Sequence, residues 1–213
     1  MDPSINRKIS QPVTAWLVRC PITPNQVSLL SLVAGLACAA FLLQGREGWL
    51  LGALWFQISY VLDNCDGELA RLTGRSSGFG SWLDTACDCI IHMAFFMSLG
   101  IGLSRSQGDL LWLRLGLAAT AGTFLCYLAS ILRQVQLRGR EAWLHPDAPH
   151  GQRMSFSRWI RVVLREDFSL VVLTSALVGH MGWLLWGGVV GACIYWMSDA
   201  ISILLLGTRR SEG

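Results

Sequence analysis

Charge is what this sequence has least of. Only 15% of its 213 residues are Asp, Glu, Lys or Arg, while 53% are hydrophobic. A soluble domain carries about 25% charged residues, so an ordinary water-soluble domain is excluded. A disulfide framework is missing too. The seven cysteines are an odd number, and most fall in apolar runs, where a thiol packs as a small soft side chain in a reducing compartment. The first apolar run begins only after residue 20 and has no cleavage site, so it reads as a span rather than a secretory leader. No inverted repeat or broken mid-span helix pair, the mark of many transporters, is visible. The net charge of +3 is too small to point to a nucleic-acid partner, and none is expected.

What is present is a series of apolar runs of about 20 residues, the length that a bilayer core demands. They predict an all-α polytopic membrane protein with six transmembrane helices. The spans are Val27–Leu43, Trp49–Leu69, Phe79–Leu103, Leu110–Val135, Phe168–Val178 and Leu184–Leu206. The fifth is too short to cross alone and is expected to begin near Trp159, with Arg161 and Arg165 snorkelling to the interface. Residues 1–213 read as a single membrane domain, with a juxtamembrane segment at 1–25 and a six-helix bundle at 26–207. With the N-terminus cytoplasmic, 14 of the 17 basic residues face the cytoplasm and only Arg46, Arg105 and Arg114 face away. The positive-inside rule therefore predicts cytoplasmic termini and places the loop at 71–80 on that face.

Before the first span, Ile9, Val13, Trp16 and Leu17 can share one apolar face of a short interfacial helix, with Arg7, Lys8 and Arg19 elsewhere. Thr23 followed by Pro24 predicts a helix start: a capping hydroxyl, then a proline in the first turn.

The few acids are concentrated. Residues 63–88 read DNCDGELARLTGRSSGFGSWLDTACD. Asp63 and Asp66 are three apart, and Asp84 and Asp88 four apart, so each pair shares a helix face. Gly74, Gly78 and Gly80 let the chain turn back, which brings four carboxylates together at the cytoplasmic end of two adjacent spans. Intramembrane acids point to function, and four cannot all stay ionised without a cation among them. Hard oxygen ligands favour Mg²⁺ or Mn²⁺ over zinc, and two such ions suit phosphoryl transfer. Gly67 leaves room for a ligand, and Arg71 can grip phosphate as a planar fork. The bland alternative is a polar helix–helix contact between protonated aspartates. Cys65, Cys87, Cys89 and His92 could in principle hold zinc, but Cys87 and Cys89 are two apart on a helix and diverge. His92, one turn beyond Asp88, is either a packed interface histidine or a partner to a metal ligand.

The pattern Asp63-x2-Asp66-Gly67-x2-Ala70-Arg71-x8-Gly80-x3-Asp84-x3-Asp88 resembles the signature of the CDP-alcohol phosphotransferases at eight fixed positions. The Thr23-Pro24-Asn25 element and the six spans are similar to that family as well. The resemblance covers most of the chain, least clearly after about residue 130. It implies transfer of a substituted phosphoryl group from a CDP-linked donor, CDP-diacylglycerol for a lipid product, to a polar alcohol, with release of CMP. It further implies that Asp63, Asp66, Asp84 and Asp88 hold two divalent ions, and that Asp88 also takes the acceptor's proton. Gly67, Arg71 and Ser77 would contact the donor, and Thr23, Pro24 and Asn25 would line the nucleotide site. A homodimer in the membrane lipid follows from the same likeness.

The acceptor site is sought in the segment from Arg133 to Arg165, which holds seven arginines. Phe156, Trp159, Ile160, Val163 and Leu164 form an apolar helical stripe there. Arg158, Arg161 and Arg165 lie off it. They either snorkel at the interface or, with Arg133, form an anion pocket for a phosphorylated acceptor such as inositol phosphate or glycerol phosphate. A metal-gated transporter and a catalytically idle scaffold are the readings from other classes. A soluble phosphodiester made from a water-soluble CDP-alcohol is the variant within this one.

Overall fold

The computed structural model describes residues 5–138 and 168–210, the side chains of 133–138, 195 and 198–210 excepted. All of its regular structure is helical among these residues. The helices are α1 (Ile5–Leu17), α2 (Pro24–Leu42), α3 (Trp49–Leu72), α4 (Gly78–Gln107), α5 (Leu110–Arg138), α6 (Phe168–Val178) and α7 (Gly182–Arg210), with a 3-10 turn at Gly45–Gly48. Three stretches are long and apolar enough to cross a bilayer: Pro24–Leu42, Gly78–Gln107 and Leu110–Leu132. Helix α3 has 24 residues, ample length, but Asp63, Asp66, Glu68 and Arg71 dilute its apolar character. Phe168–Val178 and Gly182–Ile194 are shorter apolar helices.

Local chemistry sets the boundaries around the acids. Thr23 opens α2 with a full capping box: its hydroxyl accepts from the Gln26 N–H, and its own N–H donates to Gln26 Oε1 at 2.9 Å. Helix α3 ends at Gly74, whose φ of +64° is left-handed. The Arg75 N–H then donates to the Ala70 carbonyl at 2.9 Å, and Gly74 N–H to Arg71 O at 3.4 Å, the Schellman pattern. Ser77 caps α4 by accepting from the Gly80 N–H at 3.0 Å. Two caps and one glycine thus reverse the chain within a few residues and lay α3 beside α4.

The core is aromatic and aliphatic. Phe56 of α3 and Phe95 of α4 meet with centroids 4.8 Å apart, surrounded by Leu42, Leu99, Leu103, Met181 and Leu185. Helices α4 and α5 cross at Gly100 and Gly116. A Cβ on either would lie 2.8 Å from the other's Cα, so only glycine permits this approach. The outside is greasy: Leu29, Leu30, Val33, Leu117, Phe124 and Val190 are all exposed. A water-soluble monomer rarely shows such a continuous apolar surface; with the three long apolar helices, it makes this a membrane protein.

Helix α1 corrects one expectation. It packs against α3 through a polar stripe, Asn6, Ser10 and Thr14, ending in Leu17, while Ile9 and Trp16 are exposed. The reason lies in the partners it meets. Ser10 and Thr14 donate to the Glu68 carboxylate at 2.9 and 2.7 Å. Asn6 accepts from Gln57 at 2.6 Å and donates to Ser169 of α6 at 3.0 Å. The amphipathic helix is present, but its apolar residues are divided: Leu17 turns inward, whereas Ile9 and Trp16 are exposed.

Candidate metal and phosphate site

The C-terminal end of α3 and the N-terminal end of α4, joined by the loop at 73–77, bring the acids together. Carboxylate oxygens of Asp63, Asp66 and Asp84 all lie within 4.8 Å of one another. Oxygens on one hard cation sit about 2.0–2.6 Å from it, so this spacing is one that a single divalent ion can bridge. Asp66 is buried, at 5% exposure, and Asp63 and Asp84 are half-buried. Asp88 is buried one turn deeper along α4 and stands outside the tight trio, yet its charge acts on Asp63 together with those of Asp84 and Asp66. Carboxylates so crowded cannot all stay ionised without a compensating cation. The donor set, all oxygen, fits a hard divalent cation better than the softer zinc ion.

The zinc alternative finds no support among the described residues. Cys65 instead directs its thiol to the Ser10 carbonyl and Cys89 to the Met93 sulfur. Glu68 faces α1, away from the trio. His92 bonds through Nδ1 to the Asp88 carbonyl at 2.8 Å, sits 3.4 Å from the Tyr127 hydroxyl and packs edge-on against Phe56. Packing thus accounts for its ring, while its backbone bond touches the turn that carries Asp88.

Beside the trio lies a pocket lined by Pro24, Asn25, Ser28, Asp66, Gly67, Ala70, Arg71, Arg75, Ser76, Ser77, Gly80, Ser81 and Asp84. It unites five of the six residues expected around a donor. Thr23 does not line it; its hydroxyl is engaged in the α2 cap. The Arg71 guanidinium lies over Gly67, where an added Cβ would come within 3.4 Å of Nη1. A Cβ on Gly80 would sit 3.1 Å from Asn25 Oδ1, so α2 and α4 converge on the pocket from opposite sides. The pocket therefore offers acids on one wall, guanidinium groups on another and the N-terminal turns of two helices, the features that bind a metal-bound phosphate ester.

Sequence reasoning missed Ser28 and Arg75. Ser28 follows Pro24 by one helical turn, which is a usable signal. Arg75 is held by the Schellman turn at Gly74, where the doublet before Ser77 gives no periodic clue. Arg133 is on α5, its side chain outside the described set, and Arg158, Arg161 and Arg165 lie outside the described residues altogether.

Comparisons with known proteins agree with this geometry. The CDP-alcohol phosphatidyltransferase family matches over residues 21–202. A bifunctional IPC transferase and DIPP synthase of Aquifex aeolicus is 35% identical over 109 residues, 51% of this chain and 24% of that protein. A phosphatidylinositol phosphate synthase of Cutibacterium acnes is 28% identical over 113 residues, 53% of this chain and 54% of the relative. This chain thus spans about a quarter to about half of the length of those two. An archaetidylinositol phosphate synthase of Pyrococcus horikoshii is 28% identical over 193 residues, 86% of this chain and 92% of its own. The crystal structure of Mycobacterium tuberculosis phosphatidylinositol phosphate synthase in apo form shares the fold, with a TM-score of 0.62, 24% identity and coverage of 89% of this chain and 94% of that one. The same enzyme with CDP-DAG bound superposes with a TM-score of 0.61 at 22% identity, covering 90% and 94% of the two chains. Signature, pocket and matched span lead to one conclusion: this membrane protein belongs to the CDP-alcohol phosphatidyltransferase family.

Proposed function

We propose that this protein transfers a phosphatidyl group from CDP-diacylglycerol to the hydroxyl of a polar, phosphorylated alcohol, such as inositol phosphate or glycerol phosphate, and releases CMP. The observation that supports it is the meeting of the Asp63–Asp66–Asp84 trio with a pocket lined by Asn25, Gly67, Arg71 and Ser77. That combination suits a diphosphate whose far end is a nucleotide. The names of the relatives, phosphatidylinositol phosphate synthase and archaetidylinositol phosphate synthase, support a lipid donor and a phosphorylated inositol acceptor.

Two divalent ions, Mg²⁺ or Mn²⁺, held by Asp63, Asp66, Asp84 and Asp88, would neutralise the diphosphate and favour departure of CMP. Arg71 grips the phosphate oxygens, and Gly67 keeps the approach clear. Asn25 and Pro24 border the nucleotide at the start of α2. Asp88 accepts the proton of the acceptor hydroxyl as its oxygen bonds to phosphorus and the bond to CMP breaks. Arg133, Arg158, Arg161 and Arg165 bind the acceptor's phosphate.

The surrounding architecture is part of the proposal. Helices α2 to α7 supply six spans, with both termini and the site on the cytoplasmic side. Residues 1–213 act as one catalytic domain, and the protein pairs as a homodimer. A transporter does not suit acids gathered at one end of the helices rather than at mid-depth. The test is purified protein in detergent with labelled CDP-diacylglycerol and a panel of acceptor alcohols, read by CMP release and product mass. A phosphatidyl product with a phosphorylated acceptor is expected. Turnover of water-soluble CDP-alcohols alone would move the reading to a soluble phosphodiester.

A further inference from the structure

We infer that Ser28 is a positioning residue for Asp66, fixing the carboxylate that the proposed metal site requires; the inference rests on that metal reading. Ser28 is on α2, one turn after Pro24, with 3% of its surface exposed. A serine inside a helix ordinarily turns its hydroxyl back to the carbonyl four residues earlier. For Ser28 that acceptor is available, the Pro24 carbonyl at 3.3 Å. The hydroxyl also reaches across to Oδ2 of Asp66, on a different helix, as donor to a carboxylate. It has one proton for two acceptors. The charged acceptor holds it more strongly, since charge-assisted bonds are about twice as strong as neutral ones.

The bond does something that packing does not. It engages one oxygen of Asp66 and so fixes the rotation of the carboxylate that meets Asp63 and Asp84. It also links the start of α2, where Pro24 and Asn25 border the pocket, to the metal wall on α3. Nearby serines show what a purely structural role looks like. Ser31 donates to the Ser28 carbonyl at 2.8 Å, and Ser59 donates to the Ser31 carbonyl at 2.8 Å. The first bond stays within α2 and the second stitches α3 to α2, and neither touches an acid.

The test measures Mn²⁺ binding directly, by electron paramagnetic resonance of free Mn²⁺, on full-length protein in detergent. Wild type, Ser28→Ala, Ser28→Thr and Ser31→Ala are compared, with thermal unfolding of each. Partners of metal ligands are typically worth 10–100-fold in affinity. Ser28→Ala is expected to weaken Mn²⁺ binding at least tenfold, and Ser28→Thr, which keeps the hydroxyl, to stay within about threefold of wild type. Ser31→Ala is expected to bind as wild type whatever it does to the unfolding temperature. Equal Mn²⁺ affinity in wild type and Ser28→Ala overturns the inference alone, as does an equal loss in Ser31→Ala. A wild-type protein that binds no Mn²⁺ overturns the metal reading and this inference with it.

Discussion

Removing the Glu68 carboxylate tests whether α1 is held to α3 by polar bonds rather than by apolar contact. In Glu68→Ala, Ser10 and Thr14 lose their acceptor. Both are buried, Thr14 at 1% exposure. An orphaned buried hydroxyl costs about 1–3 kcal/mol, which sets a ceiling of about 6 for the pair. The structure lowers that ceiling. Ser10 already has a second acceptor in the Arg7 carbonyl at 3.3 Å, so it can turn and recover most of its loss. Thr14 carries the penalty, and about 2–3 kcal/mol is expected in all. At about 2–4 °C per kcal/mol for a chain of this size, the apparent unfolding temperature in detergent should fall by about 5–10 °C. Cleavage by trypsin at Arg7 and Lys8 should quicken as α1 lifts. Ser10→Ala with Thr14→Ala makes the complementary loss by stranding the carboxylate. Combining all three changes removes both partners, so it should cost no more than Glu68→Ala alone. Strict additivity across that cycle, or an unfolding temperature unchanged in Glu68→Ala, would show that these groups do not hold the helix.

Exhaustive chelation should abolish CMP release, and Mg²⁺ or Mn²⁺ should restore it; full turnover without divalent ions would end the metal reading. Asp66→Asn should lose both Mn²⁺ binding and turnover, while Asp88→Asn should retain donor binding better than turnover, because the role proposed for Asp88 includes proton removal. Equal loss of donor affinity in the two variants would make Asp88 a ligand only. Arg158→Ala, Arg161→Ala and Arg165→Ala should each raise the acceptor KM about tenfold or more and leave the donor KM unchanged, a charge-assisted bond being worth about 1.5–3 kcal/mol. Wild-type acceptor kinetics in all three would reduce these arginines to interfacial anchors.

The site was legible in the sequence wherever its signals were local. The three- and four-residue spacings of the acids put them on shared faces, Thr23 before Pro24 announced the α2 cap, and glycines after Arg71 announced the reversal. These patterns depend on a few consecutive residues, and the structure keeps them. The face by which α1 docks was not legible. Its partner Glu68 is 58 and 54 residues away from Ser10 and Thr14, and periodicity favours apolar contacts over polar ones. Ser28 was hidden for a similar reason: within its own helix it reads as an ordinary serine, and only the approach of α3 gives its hydroxyl a carboxylate. The expected start of a fifth span near Trp159 lies outside the described residues, and Phe168–Val178 is a short apolar helix among them.

The backbone contact between Gly100 and Gly116 has a reach beyond its own place in the bundle. It lies 12 residues from Asp88 along α4, or about 18 Å of continuous helix at the usual rise. Helix α4 is therefore a lever whose fulcrum is that crossing and whose tip carries Asp84 and Asp88, two of the acids of the proposed site. A tilt of about 3° at the fulcrum displaces the tip by about 1 Å, a shift on the scale that costs about a hundredfold in rate where reacting groups must align. The tolerance of the chemistry is thus set far from it, by how closely two glycines let their helices touch.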